Sequence, residues 1–405
     1  MRDRLRSSCR WTPIYTGAVI SSTESLDWSS FLARTRLPSP SPEVFDALYR
    51  HTMLVTGAGG SIGSALALRL SSLAPPRLIL LDSSESNLYA LKRHWAASGS
   101  ANGAAARIAP ASGTGPAVPM SPFLGSISNG PLLEHIFTKF APKLVFHAAA
   151  FKHVPLMEEH PLAAISNNIF GTENLTRVAA SHGARVVLLS TDKAVEPTSV
   201  MGATKRVAEQ IVLSSGGVVL RLGNVLGTRD SVVKIFANQI SHRGPITVTD
   251  PAARRYFLTL DEAVNLLMIA AAQPMPSALI APVLPSTHFV SDLAHFMAEK
   301  LAPGRNIPID FTGVRSGDKD TELLWSAKDV TRPSIENFGQ GAMVYVDAPA
   351  LSTEQMGAGL ANLHSALDAY DLSAALAHLH WLVPDYRPSL AVQELAEQNS
   401  LPGSL

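Results

Sequence analysis

The stretch TMLVTGAGGSIGSALALRL, residues 52–70, decides the fold. An apolar run typical of a buried strand leads directly into a glycine-rich turn, and a segment with helical periodicity follows. Glycine permits a tight turn and close approach of the backbone, while the free N–H groups at the start of the helix attract an anion. This order predicts a loop that binds the pyrophosphate of a dinucleotide. We expect the cofactor to contact Gly57, Gly60, Ser61, Ile62 and Gly63.

A second apolar run ends in Asp82, 19 residues beyond Gly63. A carboxylate in this position accepts hydrogen bonds from the adenosine ribose and repels a 2′-phosphate. The sequence therefore favours NAD over NADP as the cofactor. Ser83, which we also assign to the cofactor, and Ser84 would tolerate a phosphate, so NADP stays open as an alternative.

Short apolar runs alternate with helical patterns through the first half of the chain. Such runs are typical of strands that are buried on both faces of a parallel sheet. They are TMLVT (52–56), RLILLD (77–82), KLVFHAA (143–149), RVVLLST (185–191) and VVLRLGNV (218–225). The alternation predicts an α/β fold with a doubly wound parallel sheet and a smaller C-terminal substrate-binding domain.

Composition shifts along the chain suggest domain boundaries. A stretch rich in Ala, Gly, Ser and Pro, residues 96–122, predicts a flexible insertion that ends in a third strand at 121–125. The predicted parts are an N-terminal extension (1–50), which contains a short helix at 42–49, and an NAD-binding domain (51–222), which residues 262–298 rejoin. The predicted substrate-binding domain consists of residues 223–261 and 299–405 and includes two helices within 351–383.

The bulk composition limits the classes of function. Of the 405 residues, 46% are apolar and 16% are charged, which indicates a globular protein, and the net charge of zero gives no reason to expect nucleic acid. The single cysteine, Cys9, excludes an internal disulfide and a cysteine-rich metal site. No apolar stretch reaches the ~18 residues of a membrane span. We therefore expect a cytoplasmic protein without a transmembrane segment or a metal.

The segment STDKAVEPTSVMGATKR, residues 190–206, is the candidate catalytic site, because functional groups gather at the carboxyl ends of parallel strands. Met201 and Lys205 share one face of a predicted helix, but a thioether cannot transfer a proton. The adjacent Asp192 and Lys193 offer an acid and a base, which elimination of water requires. A solvated loop with a helix cap is the alternative interpretation of this pair.

Several segments together resemble a known family. Besides residues 52–70 and 190–206, they are VFHAAAFKHVPLMEEHPLAAISNNIFGT (145–172), RLGNVLG (221–227), GPITVTDPAARRYF (244–257) and FTGVRSGDK (311–319). The chain resembles the CapD-like polysaccharide-biosynthesis branch of the extended short-chain dehydrogenases, which have a Rossmann fold. The best-known activity of that branch is UDP-N-acetylglucosamine 4,6-dehydratase of the configuration-retaining kind, and this group also has Met where other members have the catalytic Tyr.

The resemblance implies a redox-neutral reaction on a UDP-sugar, in surface-polysaccharide or glycan synthesis, by a homo-oligomer with bound NAD. Hydride leaves sugar carbon 4 and returns to carbon 6. Lys193 would remove the proton on carbon 5, and Asp192 would protonate the departing 6-hydroxyl. Thr191 would hydrogen-bond the 4-hydroxyl, Met201 occupies the Tyr position, and Lys205 would hold the nicotinamide ribose.

The resemblance also assigns residues outside the catalytic segment. It places Ala148 and Ala149 at the cofactor, and Lys152, Asn224, Arg255 and Arg315 at the substrate. Two other functions stay open. A UDP-sugar 4-epimerase would return the hydride to carbon 4, although such enzymes normally rely on the Tyr. A non-catalytic NAD-binding protein is the third hypothesis, against which the retained Asp192, Lys193 and Lys205 argue.

Overall fold

The structure is a computed structural model, which describes residues 26–98, 107–108, 118–229, 231–334 and 341–399. Cys9 and most of the predicted insertion at 96–122 lie outside the described residues.

The strands are β1 (Met53–Thr56), β2 (Leu78–Asp82), β3 (Arg107–Ile108), β4 (Val118–Leu124), β5 (Leu144–His147), β6 (Arg185–Thr191), β7 (Val218–Leu222), β8 (Asn224–Val225), β9 (Ile246–Val248), β10 (Arg254–Arg255), β11 (Phe257–Leu258), β12 (Ala278–Pro282), β13 (His288–Phe289), β14 (Ile309–Phe311), β15 (Val330–Pro333) and β16 (Met343–Asp347). The helices are α1 (Trp28–Leu32), α2 (Pro42–Leu48), α3 (Ser61–Ser71), α4 (Glu85–Ser98), α5 (Gly130–Phe140), α6 (Val154–Glu159), α7 (Pro161–Ala164), α8 (Gly171–Ser181), α9 (Val200–Ser214), α10 (Val232–Ser241), α11 (Leu260–Ala271), α12 (Val290–Leu301), α13 (Thr353–Asp368), α14 (Leu372–Leu382) and α15 (Leu390–Asn399). A π-helical segment (Ile165–Phe170) leads into α8, and a 3₁₀ turn (Asp192–Ala194) follows β6.

Among the described residues, ten strands form one sheet in the order β15–β16–β12–β7–β6–β5–β1–β2–β4–β3. The strands from β12 to β4 run parallel, whereas β16 and β15 at one edge and β3 at the other are antiparallel to their neighbours. The order reverses between β1 and β5, and ligands of doubly wound folds bind in the crevice at this point. The predicted α/β fold with a doubly wound sheet is confirmed.

The central strands are apolar throughout because helices cover both faces of the sheet. Met53 and Val55 of β1 pack with α2, α3 and α11, while Leu54 between them packs with α5 and α8 on the other face. All three side chains are fully buried. The alternation of side chains along a strand explains why one short run of the sequence contributes to both cores.

A smaller lobe is built around a separate apolar cluster. Helices α1, α10 and α12 pack there against β9 through Phe31, Phe236, Leu293 and Ile246. Strands β9 and β14 pair in parallel, and the short pairs β10–β13 and β8–β11 lie in the same part of the chain. This lobe adjoins the carboxyl edge of the main sheet through Asn224 of β8, which lines the central cleft.

Three groups of elements pack differently from the predicted grouping of residues into domains. Strands β15 and β16, predicted in the substrate-binding domain, extend the main sheet, because the apolar face of β16 needs cover beside β12. Helices α13 to α15 bury their apolar faces against α6, α7 and α9. Conversely α12, predicted to return to the NAD-binding domain, packs in the smaller lobe. The remaining boundaries stay predictions.

Local predictions can be compared element by element. The helix predicted at 42–49 is α2, and the third strand, predicted at 121–125, is β4, which begins three residues earlier at Val118. The C-terminal pattern within 351–383 forms α13 and α14 as predicted, and a further helix, α15, follows the segment PDYRP.

Over the residues that the structure describes, no helix is both long enough and apolar enough to cross a membrane. The same part of the chain holds no group of three or more His, Cys, Asp or Glu side chains placed for a metal ion. The predicted homo-oligomer and cytoplasmic location stay predictions.

Candidate active site

The glycine loop between β1 and α3 is closed by backbone contacts that leave no room for side chains. Gly57 has a φ of +65°, and a Cβ there would lie 2.7 Å from backbone atoms of Ala148 and Ala149. A Cβ on Gly63 would lie 2.1 Å from the Gly57 carbonyl oxygen. Helix α3 begins after Gly60, which provides no side-chain cap, so its first N–H groups can bind an anion. The loop therefore fits a pyrophosphate.

Asp82 at the end of β2 is buried beside this loop. Its two carboxylate oxygens accept hydrogen bonds from the backbone N–H groups of Gly59 at 2.7 Å and Ser84 at 2.8 Å. A carboxylate has about four acceptor positions, so Asp82 can hold the loop and still accept a bond from a ribose hydroxyl. The position fits the predicted cofactor role, which stays a prediction.

A cleft of about 740 Å³ runs along the carboxyl edge of the sheet at the point where the strand order reverses. This volume is within the usual range for sites that bind small molecules. The cleft brings together most of the residues that the sequence predicts for the site. They are Gly57, Gly60, Ser61, Ile62, Gly63, Asp82, Ser83, Ala148, Ala149, Lys152, Thr191, Lys193, Met201, Lys205 and Asn224.

The catalytic candidates follow β6 in the 3₁₀ turn. Asp192 is fully buried, and the side chain of Lys193 is 18% exposed, toward the cleft that it lines. Lys193 Nζ donates to Asp192 Oδ1 at 3.0 Å and to Asn224 Oδ1 at 3.4 Å. Thr191 Oγ1 also donates to Asp192 Oδ1, at 2.9 Å. The acid and the base of the sequence prediction thus form one hydrogen-bonded pair at the cleft, not a solvated loop.

The electrostatics of the pair depend on a third group. Burial raises the pKa of Asp192 against the attraction of Lys193, and the carboxylate of Glu322 raises it further. Burial acts to lower the pKa of Lys193, but the carboxylates of Asp192 and Glu322 outweigh it, so this pKa is raised. Asp192 Oδ2 is buried and finds no hydrogen-bond partner among the described residues. In the cleft without substrate, the two carboxylates therefore keep Lys193 in its ammonium form.

Helix α9 carries Met201 and Lys205 on the side that faces the cleft. Met201 is 3% exposed and contributes to the apolar cluster beneath α13 and α14. Lys205 Nζ donates to the carbonyl oxygen of Leu189 at 2.8 Å, and burial lowers its pKa to about 8. Beneath Lys205, the buried His147 lies between Thr56 and Thr172, at 2.8 and 3.0 Å. Its pKa is lowered to about 3 by burial, which suits a neutral structural histidine.

The four predicted substrate residues fall into two groups. Lys152 and Asn224 line the cleft, where Lys152 donates to the carbonyl oxygen of Arg229 at 3.1 Å. Arg255 is buried near Lys193 and donates to the carbonyl oxygen of Asp320 at 3.0 Å. Arg315 does not line the cleft; its side chain is 56% exposed and pairs with Asp318 at 2.9 Å. The substrate roles of all four stay predictions.

Glu322 is the group that sequence reasoning missed. It is 2% exposed, and its carboxylate lies 3.7 Å from Lys193 Nζ and 3.2 Å from Lys319 Nζ. No spacing in the sequence places it at the site, because Glu322 lies more than 120 residues beyond the catalytic turn. The only local signal is the alternation of charge in GDKDTE, residues 317–322, which does not identify a partner.

Comparison with known proteins gives matches over most of the chain. Residues 53–339 match the family described as polysaccharide biosynthesis protein. The chain is 36% identical over 312 residues to the probable polysaccharide biosynthesis protein EpsC of Bacillus subtilis, which covers 75% of this chain and 50% of EpsC. It is 36% identical over 293 residues to the capsular polysaccharide biosynthesis protein CapD of Staphylococcus aureus, which covers 70% of this chain and 46% of CapD. The chain thus spans about half the length of these curated relatives.

Other matches carry different activities in their names. A UDP-glucose 4-epimerase of Rickettsia canadensis is 34% identical over 218 residues, 51% of this chain and 62% of that protein. The X-ray structure of Pen from Bacillus thuringiensis is 26% identical with a TM-score of 0.63, covering 75% of this chain and 89% of Pen. DesIV, a dTDP-glucose 4,6-dehydratase of Streptomyces venezuelae, is 18% identical with a TM-score of 0.55, covering 67% and 87%.

The fold is therefore the Rossmann-like fold of extended short-chain dehydrogenase structures, which include epimerases and dehydratases. Because the family match extends over residues 53–339 of 405, the chain belongs to the polysaccharide biosynthesis protein family.

Proposed function

We propose that this protein is an NAD-dependent nucleotide-sugar 4,6-dehydratase that acts on UDP-N-acetylglucosamine in the synthesis of a surface polysaccharide or glycan. The observation that carries the proposal is the pair of the buried Asp192 with Lys193, of which Lys193 lines the cleft beside a helix with Met201 in place of a phenol. The names of EpsC and CapD support a role in polysaccharide synthesis.

The residues of the glycine loop fit NAD. The packing of Gly57 and Gly63 leaves a backbone cradle at the start of α3, and Asp82 lies where an adenosine ribose would be held. The neighbouring structure of DesIV contains NAD. When bound, NAD supplies the acceptor for the hydride from the sugar and later its donor. We assign the nicotinamide ribose to Lys205, which lines the cleft and donates to the Leu189 carbonyl oxygen.

The protein's own residues move the protons. The Asp192 carboxylate accepts the proton of the 4-hydroxyl, with Thr191 beside it as the hydrogen-bonding group. The neutral amine of Lys193 takes the proton from carbon 5, and Asp192 then gives its proton to the 6-hydroxyl, which leaves as water. Lys193 returns its proton to carbon 5 after carbon 6 receives hydride. The cycle ends with both side chains as they began, so the atoms balance.

This scheme requires Lys193 to lose a proton before it reacts. The neighbouring carboxylates raise its pKa in the open cleft, so the ammonium form predominates there. A sugar that expels the remaining water would act in the opposite direction, because desolvation lowers the pKa of an amine. We therefore expect the rate of dehydration to rise with pH as Lys193 is deprotonated.

A UDP-sugar 4-epimerase is the second candidate, favoured by the similarity to the Rickettsia protein of that name. Both reactions begin with hydride removal at carbon 4. They differ in whether a group is present that removes the proton at carbon 5, and the position of Lys193, 3.0 Å from the Asp192 carboxylate at the cleft, supports this role here. An epimerase has no use for this second proton transfer.

Incubation of the full chain with NAD and UDP-N-acetylglucosamine tests the proposal. Mass spectrometry should show a product lighter by one water. Lys193→Ala should abolish this product and leave NAD bound, whereas Lys300→Ala, on the surface of α12, should behave as wild type. A product of unchanged mass with altered configuration at carbon 4 would establish the epimerase. Bound NAD without turnover of any UDP-hexose would indicate a binding protein.

A further inference from the structure

Lys193 lies between two carboxylates that come from different parts of the chain. Asp192 Oδ1 is 3.0 Å from Lys193 Nζ, and Glu322 Oε1 is 3.7 Å from the same atom. Both carboxylates are almost completely buried, at 0% and 2% exposure of the side chains. A buried carboxylate needs compensation by nearby cations, so its presence beside the reacting amine requires a reason.

The segment that carries Glu322 is fixed to the site at several points. Thr321 bridges to Arg254, whose N–H donates to the carbonyl oxygen of Asp320 at 2.7 Å. Lys319 Nζ donates to the carbonyl oxygen of Val195 at 2.6 Å, directly after the catalytic turn. The segment is thus tied both to β10 of the smaller lobe and to the turn after β6, which holds the Glu322 carboxylate in place.

We propose that Glu322 is a positioning residue of the reaction, which holds the Lys193 side chain through a second ion pair and controls its action as a base. The inference rests on the proposed function, because it assigns Lys193 the removal of the carbon-5 proton. Glu322 does not line the cleft and acts only through Lys193.

The charged groups around the pair determine the sign of the effect. Asp192 and Lys193 come from the turn, Glu322 and Lys319 from the segment after it, and Arg255 from β10. Burial raises the pKa of the neighbouring Tyr256 phenol, and the carboxylate of Asp192 raises it further. Removal of the Glu322 charge leaves the ammonium of Lys193 with one carboxylate and with the repulsion of Arg255 and Lys319. The neutral amine becomes easier to form, so the pKa of Lys193 falls.

The test is the pH dependence of kcat/KM for dehydration of UDP-N-acetylglucosamine by the NAD-loaded full chain. Glu322→Gln should move the rising limb to lower pH by about one unit or more, so that activity below the limb exceeds wild type by about tenfold. Glu322→Asp keeps the charge and should keep the limb near its wild-type position. Glu134→Gln, which removes an exposed carboxylate of α5, should not move it. If the rising limb of Glu322→Gln lies at the same pH as that of wild type, the proposal is overturned, whatever the maximal kcat/KM of the variant.

A second measurement does not depend on turnover. Trace acetylation of Lys193 in the full chain without substrate, measured over pH by peptide mass spectrometry, gives the midpoint at which the amine becomes neutral. This midpoint should fall in Glu322→Gln and not in Glu322→Asp. If wild type turns over no UDP-hexose, the proposed function fails, yet the acetylation midpoints still decide whether Glu322 controls Lys193. Equal midpoints in wild type and Glu322→Gln would reject that control.

Discussion

Gly202 of α9 lies in close contact with the turn that carries Asp192 and Lys193. A Cβ added at Gly202 would lie 2.2 Å from the carbonyl oxygen of Lys193 and 3.2 Å from Cβ of Pro197. Contacts of a Cβ below 3.0 Å essentially do not occur, so Gly202→Ala must separate α9 from the turn by at least 0.8 Å, the difference between 3.0 and 2.2 Å. The obstructing atom belongs to the backbone, so no side-chain rotation can relieve the contact.

The shift falls on Lys193 and Asp192 directly. A displacement of about 1 Å of a catalytic group can reduce the rate by about 10²-fold, so we expect kcat for dehydration to fall by about that factor. Overpacking should also reduce the free energy of unfolding by about 1–3 kcal/mol. The glycine loop after β1 is built from other contacts, so the stoichiometry of bound NAD should not change.

The assay combines kcat, bound NAD and urea denaturation for Gly202→Ala and for a matched control, Gly357→Ala. A Cβ at Gly357 on α13 meets nothing within 4 Å, and alanine favours a helix over glycine by about 1 kcal/mol. The control should therefore retain activity and stability. The reasoning from this contact would be refuted if Gly202→Ala kept the wild-type kcat, or if its loss of kcat were no greater than the fraction of the variant that is unfolded.

Three further predictions concern the cofactor loop and the core. Gly63→Ala should weaken NAD binding by at least about tenfold in isothermal calorimetry, because its Cβ would meet the Gly57 carbonyl oxygen at 2.1 Å and a strain of 1–3 kcal/mol distorts the loop. Arg221→Met should lower the free energy of unfolding in urea by about 3–5 kcal/mol, because the buried Glu209 loses the two hydrogen bonds that it accepts from Arg221, at 2.9 and 2.8 Å, and keeps only those from Arg206 and Ser190. Adding Glu209→Leu should restore part of this loss, and no recovery would contradict the argument. His147 has a pKa of about 3 when folded against an ordinary 6.5, so it contributes stability above pH 6.5 that is lost by about 1.4 kcal/mol per unit as the pH falls toward 3. His147→Gln should flatten this part of the stability profile, and an unchanged slope would assign the acid sensitivity to other groups.

The sequence predicts the fold well where the relevant physics is local. The apolar runs at 52–56 and 185–191 identify buried parallel strands, because a strand with helices packed on both faces of its sheet needs apolar side chains on both sides. The glycine loop is identified by spacing for a similar reason, since its steric limits act within a few residues. The start of β4 is less predictable because Pro119 and Pro122 suggest a loop. Prolines are tolerated there because, among the described residues, β4 is paired on its outer side by just the two residues of β3.

The parts that sequence reasoning misplaced depend on contacts between distant residues. The assignment of β15 and β16 to the main sheet depends on pairing with β12, for which no local pattern exists. The sequence predicts α13 and α14 as helices, but it does not predict that they pack on α9, because an apolar helix face does not specify its partner. Glu322 belongs to the same class, since it is brought to Lys193 by contacts between distant residues, such as the bridge of Thr321 to Arg254 and the bond of Lys319 to the Val195 carbonyl oxygen.

The replacement of a phenol by Met201 has a consequence for the electrostatics of the whole site. Lys205, with a pKa lowered to about 8, has the Leu189 carbonyl oxygen as its hydrogen-bond acceptor, and the thioether beside it on α9 cannot ionise. In the proposed reaction, proton transfer is therefore separated from the group assigned to the cofactor, and it is carried out by Asp192 and Lys193 in the turn that precedes α9. Because these two titrate together and are buried, their behaviour depends on the charges around them more than on their own ordinary pKa values. By this proposal, a carboxylate such as Glu322 helps to determine the reaction through Lys193, although it does not line the cleft.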